Sequence, residues 1–404
     1  MKTFHKVLAV VLAAAMLCGV AAVCAGAVVD PDAEVTVNLI SQNVAGLLNI
    51  NAIIGQENAT TVANQTIFGK LMNDYNDFPD GQIADVILVQ EDFGYHDYLA
   101  APLMNTTVPE YILDENGNIM YEETIVDGSI VRTPMVVKKN FNYQTNTTGG
   151  VPGGDGLNIF SQNRIYNEKR VTWNKAGGPI TDGDALTAKG ILYAVINVGN
   201  DFYIDFYNIH ADAFDNEESV EARKDNYRQL AALINANYEK NNRPVIVVGD
   251  FNYSISLPGN DSDAMKRYLY DECGLTDAWY YVNNVEVGSG TYEWGVSDSV
   301  DKILYKGTDA LELEATFFEY HHFKVDEAND PDFSLSDHPA SVASITVKVK
   351  DGADYDPDTS DLYVDHGQPQ KNFLTALKYF FKDLIAVFKN LKVLLASLFN
   401  KPTA

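Results

Sequence analysis

Strand-type apolar runs alternate with helical stretches along most of this chain, and this alternation constrains the fold more than any other feature. Helical spacing of apolar residues occurs around residues 61–75 and 216–240. Intermixed strands and helices predict an α/β fold, a four-layer sandwich of two mixed β-sheets flanked by helices. The predicted strands are EVTVNLISQNV, ADVILVQEDF, GILYAVINV, DFYIDFYNIHA, RPVIVVGDFN, DKILYKG, LELEATFF and ASVASITVKV.

Residues 1–27 have the composition of a secretory signal peptide. Lys2 and Lys6 form a basic start, residues 7–23 are almost wholly apolar, and AGA at 25–27 fits a cleavage site. We therefore expect a secreted or extracellular protein, with association at the cell surface as a variant of this. An uncleaved membrane anchor and a lipoprotein attached through Cys24 are the alternatives. The apolar run is short for an anchor, and the residues before Cys24 are a poor lipidation signal.

Cysteine and charge limit the possibilities further. Two of the three cysteines lie in the leader, so the mature chain keeps only Cys273 and its stability must come from a hydrophobic core. The formal net charge of −27 divides into +2 for the leader, −34 for residues 28–370 and +5 from Lys371 onward. So acidic a body repels polyanions, which disfavours nucleic acid as a partner.

The chain divides into a large domain and a distinctive end. We expect a catalytic domain at residues 28–350 and an acidic linker at 351–370. Residues 371–404 predict a basic amphipathic helix, because lysines fall on one side and large apolar residues on the other. Such a helix can bind a membrane surface through residues 371–400. The alternatives are docking of its apolar face on the domain and self-association.

Carboxylate, amide and imidazole side chains stand at the ends of the predicted strands. Singly they are weak signals, but loops converge where strands end, so together they predict one site. Oxygen ligands from separate strands suit Mg²⁺, and histidines among carboxylates can move protons or bind phosphate. A cation site, a proton-transferring group and phosphate-binding groups are what phosphodiester hydrolysis requires. The residues are Asn43, Glu91, His210, Asp250, Asn252, Asp301, Asp337 and His338.

The series Asn, Glu, His, Gly-Asp-x-Asn, Asp, Asp-His resembles the endonuclease/exonuclease/phosphatase superfamily over about residues 35–349. The resemblance implies that Asn43 and Glu91 hold a principal Mg²⁺ or a similar cation such as Mn²⁺. It implies that Asp337 lies beside that metal or a second one.

The resemblance also implies catalytic roles. Asp250 and Asn252 would position the attacking water and the phosphate, and His210 would donate to a phosphate oxygen. His338 would be the general base, with Asp301 orienting its imidazole. Lys302 departs from the family pattern, which usually has an aromatic or apolar residue after this aspartate.

The stretch DGDALTAKG resembles the Asp-x-Leu-Ser/Thr-x-Lys-Gly segment of the sphingomyelinase C-like branch, which implies that Asp184 and Lys189 belong to the active site. The sequence therefore predicts a secreted, Mg²⁺-dependent phosphodiesterase that hydrolyses a phospholipid headgroup. The alternatives are a secreted nuclease of the same superfamily and a catalytically silent binding module at a membrane surface. The oligomeric state is not indicated.

Overall fold

A computed structural model describes most of the predicted catalytic domain. The described residues are 29, 32–46, 59–105, 108–111, 121–126, 129–134, 136–139, 141–148, 154–177, 187–293, 295–324 and 335–364. The predicted leader, Asp184 and the predicted basic helix lie outside the described residues.

Six strands form the first sheet. They are β1 (Glu34–Asn43), β2 (Val86–Gln90), β7 (Tyr143–Gln144), β8 (Asn158–Ser161), β15 (Leu311–His321) and β16 (Ala340–Val349). Their order across the sheet is β15-β16-β1-β2-β8-β7. β1 and β2 are parallel, whereas the other neighbours are antiparallel. The carboxyl ends of β1 and β2 therefore meet at the same edge of the sheet.

Six more strands form the second sheet. They are β9 (Ile165–Thr172), β10 (Gly190–Asn197), β11 (Tyr203–His210), β12 (Val245–Asp250), β13 (Thr276–Asp277) and β14 (Asp301–Lys306). Their order is β13-β14-β12-β11-β10-β9, with β11 and β12 parallel. β10 and β11 form an antiparallel hairpin. As in the first sheet, one parallel pair brings two carboxyl ends together.

The helices of the described part of the chain lie outside the sheets. They are α1 (Ala59–Asp74), α2 (His96–Asn105), α3 (Glu217–Asn241), α4 (Asn260–Met265) and α5 (Ala278–Val282), with a π-helical turn at Lys266–Glu272. The long helix α3 begins where the Asn216 side chain accepts the Ser219 N–H at 3.0 Å. It ends at Asn242, whose φ of +47° is a left-handed conformation that asparagine tolerates.

Three hydrophobic clusters fill the spaces between the layers, because successive side chains of a strand point to opposite faces. Between the two sheets pack Leu39, Leu88, Phe206, Ile246 and Val248. Between the second sheet and α3 pack Tyr207, Leu230, Ile234, Val245 and Val247. Between the first sheet and helices α1 and α2 pack Ile40, Phe68, Ile87, Leu99 and Val342. This arrangement confirms the predicted four-layer α/β sandwich.

Two short ribbons lie between α2 and β7 in the chain. β3 (Val108–Tyr111) pairs with β6 (Val136–Lys139), and β4 (Tyr121–Val126) pairs with β5 (Ser129–Pro134). None of these strands was among those predicted from the sequence.

The segment that follows β16 contacts the second sheet at residues 351–364. Arg243 forms an ion pair with Asp361, and the Tyr363 N–H donates to the Asn167 side chain at 2.9 Å. This part of the predicted linker is therefore held against the domain. Among the helices that the structure describes, none has both the length and the apolar character to cross a bilayer.

Candidate active site

The predicted site residues are brought together by the strand ends of both sheets. In the parallel pairs, Asn43 lies opposite Gln90, the residue before Glu91, and His210 lies opposite Asp250. In the antiparallel pair of β12 and β14, Asp250 lies directly opposite Asp301. Because the sheets pack face to face, the two sets of strand ends meet at one end of the sandwich.

His338 and Asp301 form a hydrogen-bonded pair. Nδ1 of His338 lies 2.8 Å from Oδ2 of Asp301, and Nε2 lies 3.8 Å from Oδ2 of Asp250. The side chain of His338 is 14% exposed, whereas Asp301 is buried. The imidazole therefore has one nitrogen bound to a buried carboxylate and the other directed toward a second one.

The backbone around His338 is fixed by side chains that the sequence analysis did not identify. The Ser336 hydroxyl donates to the Asn43 carbonyl at 2.7 Å and accepts the His338 N–H at 3.0 Å. The Gln42 side chain donates to the His338 carbonyl at 3.1 Å. Gln42 precedes Asn43 at the end of β1, and Ser336 lies two positions before His338. Their positions next to predicted site residues are the sequence signal that could have identified them.

The charges around His338 control its protonation. Burial disfavours the imidazolium, but the negative charges of Asp301 and Asp250 and the hydrogen bond to Asp301 outweigh it. Together they raise the pKa of His338 to about 10. In the absence of a bound cation, the imidazole is therefore protonated at neutral pH.

Asp250 is the buried centre of the site. Its Oδ1 accepts the Asn252 N–H at 2.8 Å, and its Oδ2 accepts from the Asn43 side chain at 3.2 Å. Burial raises its pKa to about 6, with Asp301 adding to the rise and His338 and Lys189 opposing it. The glycine before it is required, because Gly249 has a φ of +132° and a Cβ there would lie 2.0 Å from the Ile209 carbonyl oxygen.

Glu91 and Asn43 form the first-sheet side of the site. Nδ2 of Asn43 donates to Oε1 of Glu91 at 3.2 Å, so this amide bridges Glu91 and Asp250. Glu91 has a φ of +60°, an uncommon conformation for a residue other than glycine. Gly46 approaches its backbone so closely that a Cβ would lie 2.5 Å from the Glu91 carbonyl oxygen. Burial raises the pKa of Glu91, although Lys189 and Asn43 oppose the rise.

The predicted residues Asn252, Lys189 and His210 lie near the Ala211 carbonyl. Asn252 donates to it at 3.0 Å, and Nζ of Lys189 lies 3.5 Å from it. His210 precedes it, with Nε2 3.4 Å from Oδ2 of Asp250. Burial, and then the charges of Lys189 and His338, hold the pKa of His210 well below its usual value. His210 is therefore neutral, in contrast to His338.

Asp337 differs from the other predicted residues in its surroundings. It is exposed, and its Oδ1 lies 3.5 Å from the Ser336 hydroxyl. Asp250, Asp301 and His338 place their possible metal-ligand atoms within 4.8 Å of one another. Among the described residues, this is the group of three or more acidic, histidine or cysteine side chains that meets this distance. The predicted metal residues Glu91 and Asp337 are not members of that group, but the Asn43 side-chain amide links Glu91 to Asp250.

The fold thus places an acid–imidazole pair beside converging carboxylates at the ends of two sheets. The chain belongs to the Endonuclease/Exonuclease/phosphatase family, whose model matches residues 40–338. The superfamily resemblance seen in the sequence is thus confirmed.

Individual proteins resemble the chain to different extents. A sphingomyelinase of Mycobacterium bovis is 28% identical over 261 residues, which are 63% of this chain and 44% of the relative. The match thus spans less than half of that relative's length. A Staphylococcus aureus beta toxin with bound magnesium ions is 16% identical, with a TM-score of 0.45 over 76% of this chain and 99% of that one. TDP2 of D. rerio with a single-strand DNA product is 14% identical, with a TM-score of 0.43 over 77% and 98%.

Proposed function

We propose that this protein is a metal-dependent phosphodiesterase of the sphingomyelinase C type, which hydrolyses the headgroup phosphodiester of a phospholipid. The observation that carries the proposal is the His338–Asp301 pair, 2.8 Å apart and facing the buried Asp250. A buried acid that orients one imidazole nitrogen lets the other nitrogen transfer a proton. The name of the mycobacterial relatives supports the choice of lipid.

The acidic side of the site fits a divalent cation. Glu91 and Asp250 both accept from the Asn43 side-chain amide, at 3.2 Å each. Burial raises the pKa of both carboxyls, even though the charges of Lys189 and His338 oppose the rise. Glu91 and Asn43 would hold Mg²⁺ or a similar cation such as Mn²⁺, with Asp250 facing it and Asp337 at its exposed side. When bound, the cation supplies positive charge that polarises the phosphate and lowers the pKa of His338.

Proton transfer falls to the His338–Asp301 pair, which joins the bend before β16 of the first sheet to the start of β14 in the second sheet. Neutral His338 takes a proton from the attacking water through Nε2 as the water oxygen bonds to phosphorus. The bond from phosphorus to the lipid alkoxide oxygen breaks on the opposite side of the phosphorus. That oxygen takes a proton from solvent, and the imidazolium releases its proton to solvent. Asp301 stabilises the transient imidazolium through Nδ1 and keeps the ring oriented.

The remaining polar residues bind the phosphate. Lys189 carries a positive charge close enough to Glu91 and Asp250 to lower the pKa of both, so it would counter the charge of a phosphodiester beside them. His210 is neutral and would donate a hydrogen bond, and Asn252 would offer its side-chain amide. Asp184, five residues before Lys189 in the sphingomyelinase-like segment and outside the described residues, would act together with that lysine.

Charge and the chain ends support a lipid rather than a nucleic acid. Residues 28–370 carry a net charge of −34, which repels a polyanion but not a zwitterionic choline lipid. The leader would direct the protein out of the cell. The basic amphipathic helix at 371–404 would hold it at a membrane surface, or at the surface of its own cell.

A substrate panel tests the proposal. The full chain is incubated with sphingomyelin, phosphatidylcholine, plasmid DNA and RNA, each with Mg²⁺ and with a chelator. We expect release of the phosphorylated headgroup from a choline lipid with Mg²⁺, and loss of release with the chelator. Cleavage of DNA or RNA without lipid hydrolysis would instead identify a nuclease. No turnover of any of the four would favour a silent binding module.

A further inference from the structure

Lys302 follows Asp301 in β14 but points to the opposite face of the sheet. Asp301 shares its face with Ile303, in the core between the sheets, whereas Lys302 shares its face with Leu304, in the core beneath α3. Lys302 is only 2% exposed. A lysine is rarely buried unless it is paired, so its partners explain its position.

The partners of Lys302 are two buried aspartates. Nζ donates to Oδ1 of Asp298 and lies 3.7 Å from Oδ2 of Asp277. Burial opposes ionisation of both Lys302 and Asp298, but their mutual attraction outweighs it. The pKa of the lysine is consequently raised and that of Asp298 lowered. Both groups are therefore charged at neutral pH.

Asp298 also binds the loop that follows the catalytic end of β12. Its Oδ2 accepts the Ser256 N–H at 2.8 Å and accepts from the Ser254 hydroxyl. Ser254 is buried and lies four residues after Asp250. Asp298 itself lies three residues before Asp301. One carboxylate thus connects the segment after Asp250 with the segment before Asp301.

We propose that the Lys302–Asp298 ion pair positions the catalytic acids from behind the sheet. It holds residues 251–256 against residues 297–300, and so sets the spacing of Asp250 from the Asp301–His338 pair. The Phe251 N–H, which donates to the Val300 carbonyl at 2.9 Å, joins the same two segments. Lys302 is a positioning residue, since its ammonium group lies on the far side of the strand from His338. The reaction that it serves rests on the proposed function.

The test compares two buried ion pairs in the same sheet. Lys302→Met removes the charge and keeps most of the side-chain volume. Arg243→Met is the matched control, because buried Arg243 pairs with Asp205 and Asp361 at the start of β11 and β12, the end away from the site. Both variants are assayed as full chains, at a temperature at which near-ultraviolet circular dichroism reports them folded.

We expect Lys302→Met to lower kcat by about 10- to 100-fold with little change in KM, since small displacements of catalytic groups have effects of this size. Lys302→Arg should recover most of the loss. Arg243→Met should lower the melting temperature but keep kcat. The proposal is overturned if Lys302→Met keeps the wild-type kcat, or if Arg243→Met lowers kcat by the same factor.

Two further measurements apply if Lys302→Met does not fold or if no substrate is turned over. If Lys302→Met does not fold, Ser254→Ala releases the loop while retaining the ion pair, and an unchanged kcat in it contradicts the proposal. If no substrate in the panel is turned over, the proposed function has failed but the positioning has not. The downfield proton resonance of His338 Nδ1–H, bound to Asp301, is then the readout. It should shift in Lys302→Met and not in Arg243→Met, and the reverse pattern overturns the inference.

Discussion

Asp250 and Asp301 are direct partners across β12 and β14, so two buried carboxylates stand side by side next to the imidazole of His338. Their negative charges keep His338 protonated when no cation is present. A cation bound beside Asp250 would reverse that balance and free Nε2 to accept a proton. The protonation of His338, the proposed base, is therefore linked to cation binding at the acidic side of the site.

Removing the charge of Asp301 should impair turnover more than binding. In Asp301→Asn the imidazole loses the carboxylate that orients it and stabilises its protonated form. We expect kcat to fall by about 10²- to 10⁴-fold, with KM little changed. Steady-state kinetics on the active lipid of the panel measure this. A fall in kcat of less than threefold would show that Asp301 has no part in the reaction.

The stability of the metal-free protein should depend on pH through His338. The folded pKa is about 10, above the ordinary 6.5, so folding favours the protonated imidazole. This contribution is fully present below about pH 6.5 and is lost as the pH rises through about 10. Calorimetry with a chelator should show a decline over this window that His338→Gln lacks. Superimposable profiles would contradict the raised pKa.

Lys189 should act on the phosphate and on the neighbouring carboxyls. We expect Lys189→Met to lower kcat/KM on lipid by about tenfold, because one charge close to the phosphodiester is lost. Lys169→Met is the control, since Lys169 is exposed on the adjacent strand β9. Equal activity of the two variants would remove Lys189 from the site and leave the sphingomyelinase assignment without its specific residue.

Deleting residues 371–404 should separate membrane binding from catalysis. The truncated chain keeps every described site residue, so we expect unchanged hydrolysis of a soluble phosphodiester. Its sedimentation with choline-lipid vesicles should be weaker, because the basic amphipathic face is gone. Undiminished vesicle binding would mean that the segment docks on the domain or mediates self-association.

Much of the site could be predicted from sequence because it lies at strand ends. Apolar runs reveal strands, and the residues directly after them must lie at a sheet edge, which brings Asn43, Glu91, His210 and Asp250 together. The structure also shows the pairing of Asp301 with His338 that the family resemblance implied, although Lys302 departs from the family pattern. That departure is accommodated on the other face of β14 and leaves the Asp301 side chain in place.

What sequence could not supply depends on the backbone path between strands. The left-handed conformation of Glu91, the approach of Gly46 to it and the partners of Lys302 arise only when distant segments meet. The exposure of Asp337 also could not be predicted, because adjacent residues of a bend can face opposite directions. The ribbons between 108 and 139 were missed because their short runs carry no clear alternation.

Replacement of His338, the proposed general base, tests the central claim most directly. Wild-type protein and His338→Ala are incubated with sphingomyelin and Mg²⁺, with His321→Gln, a partly exposed histidine, as the control. We predict headgroup release by wild type and control, and a loss of about 10²- to 10⁴-fold in His338→Ala with the fold and Mg²⁺ binding retained. Release by His338→Ala within a few-fold of wild type would contradict the account.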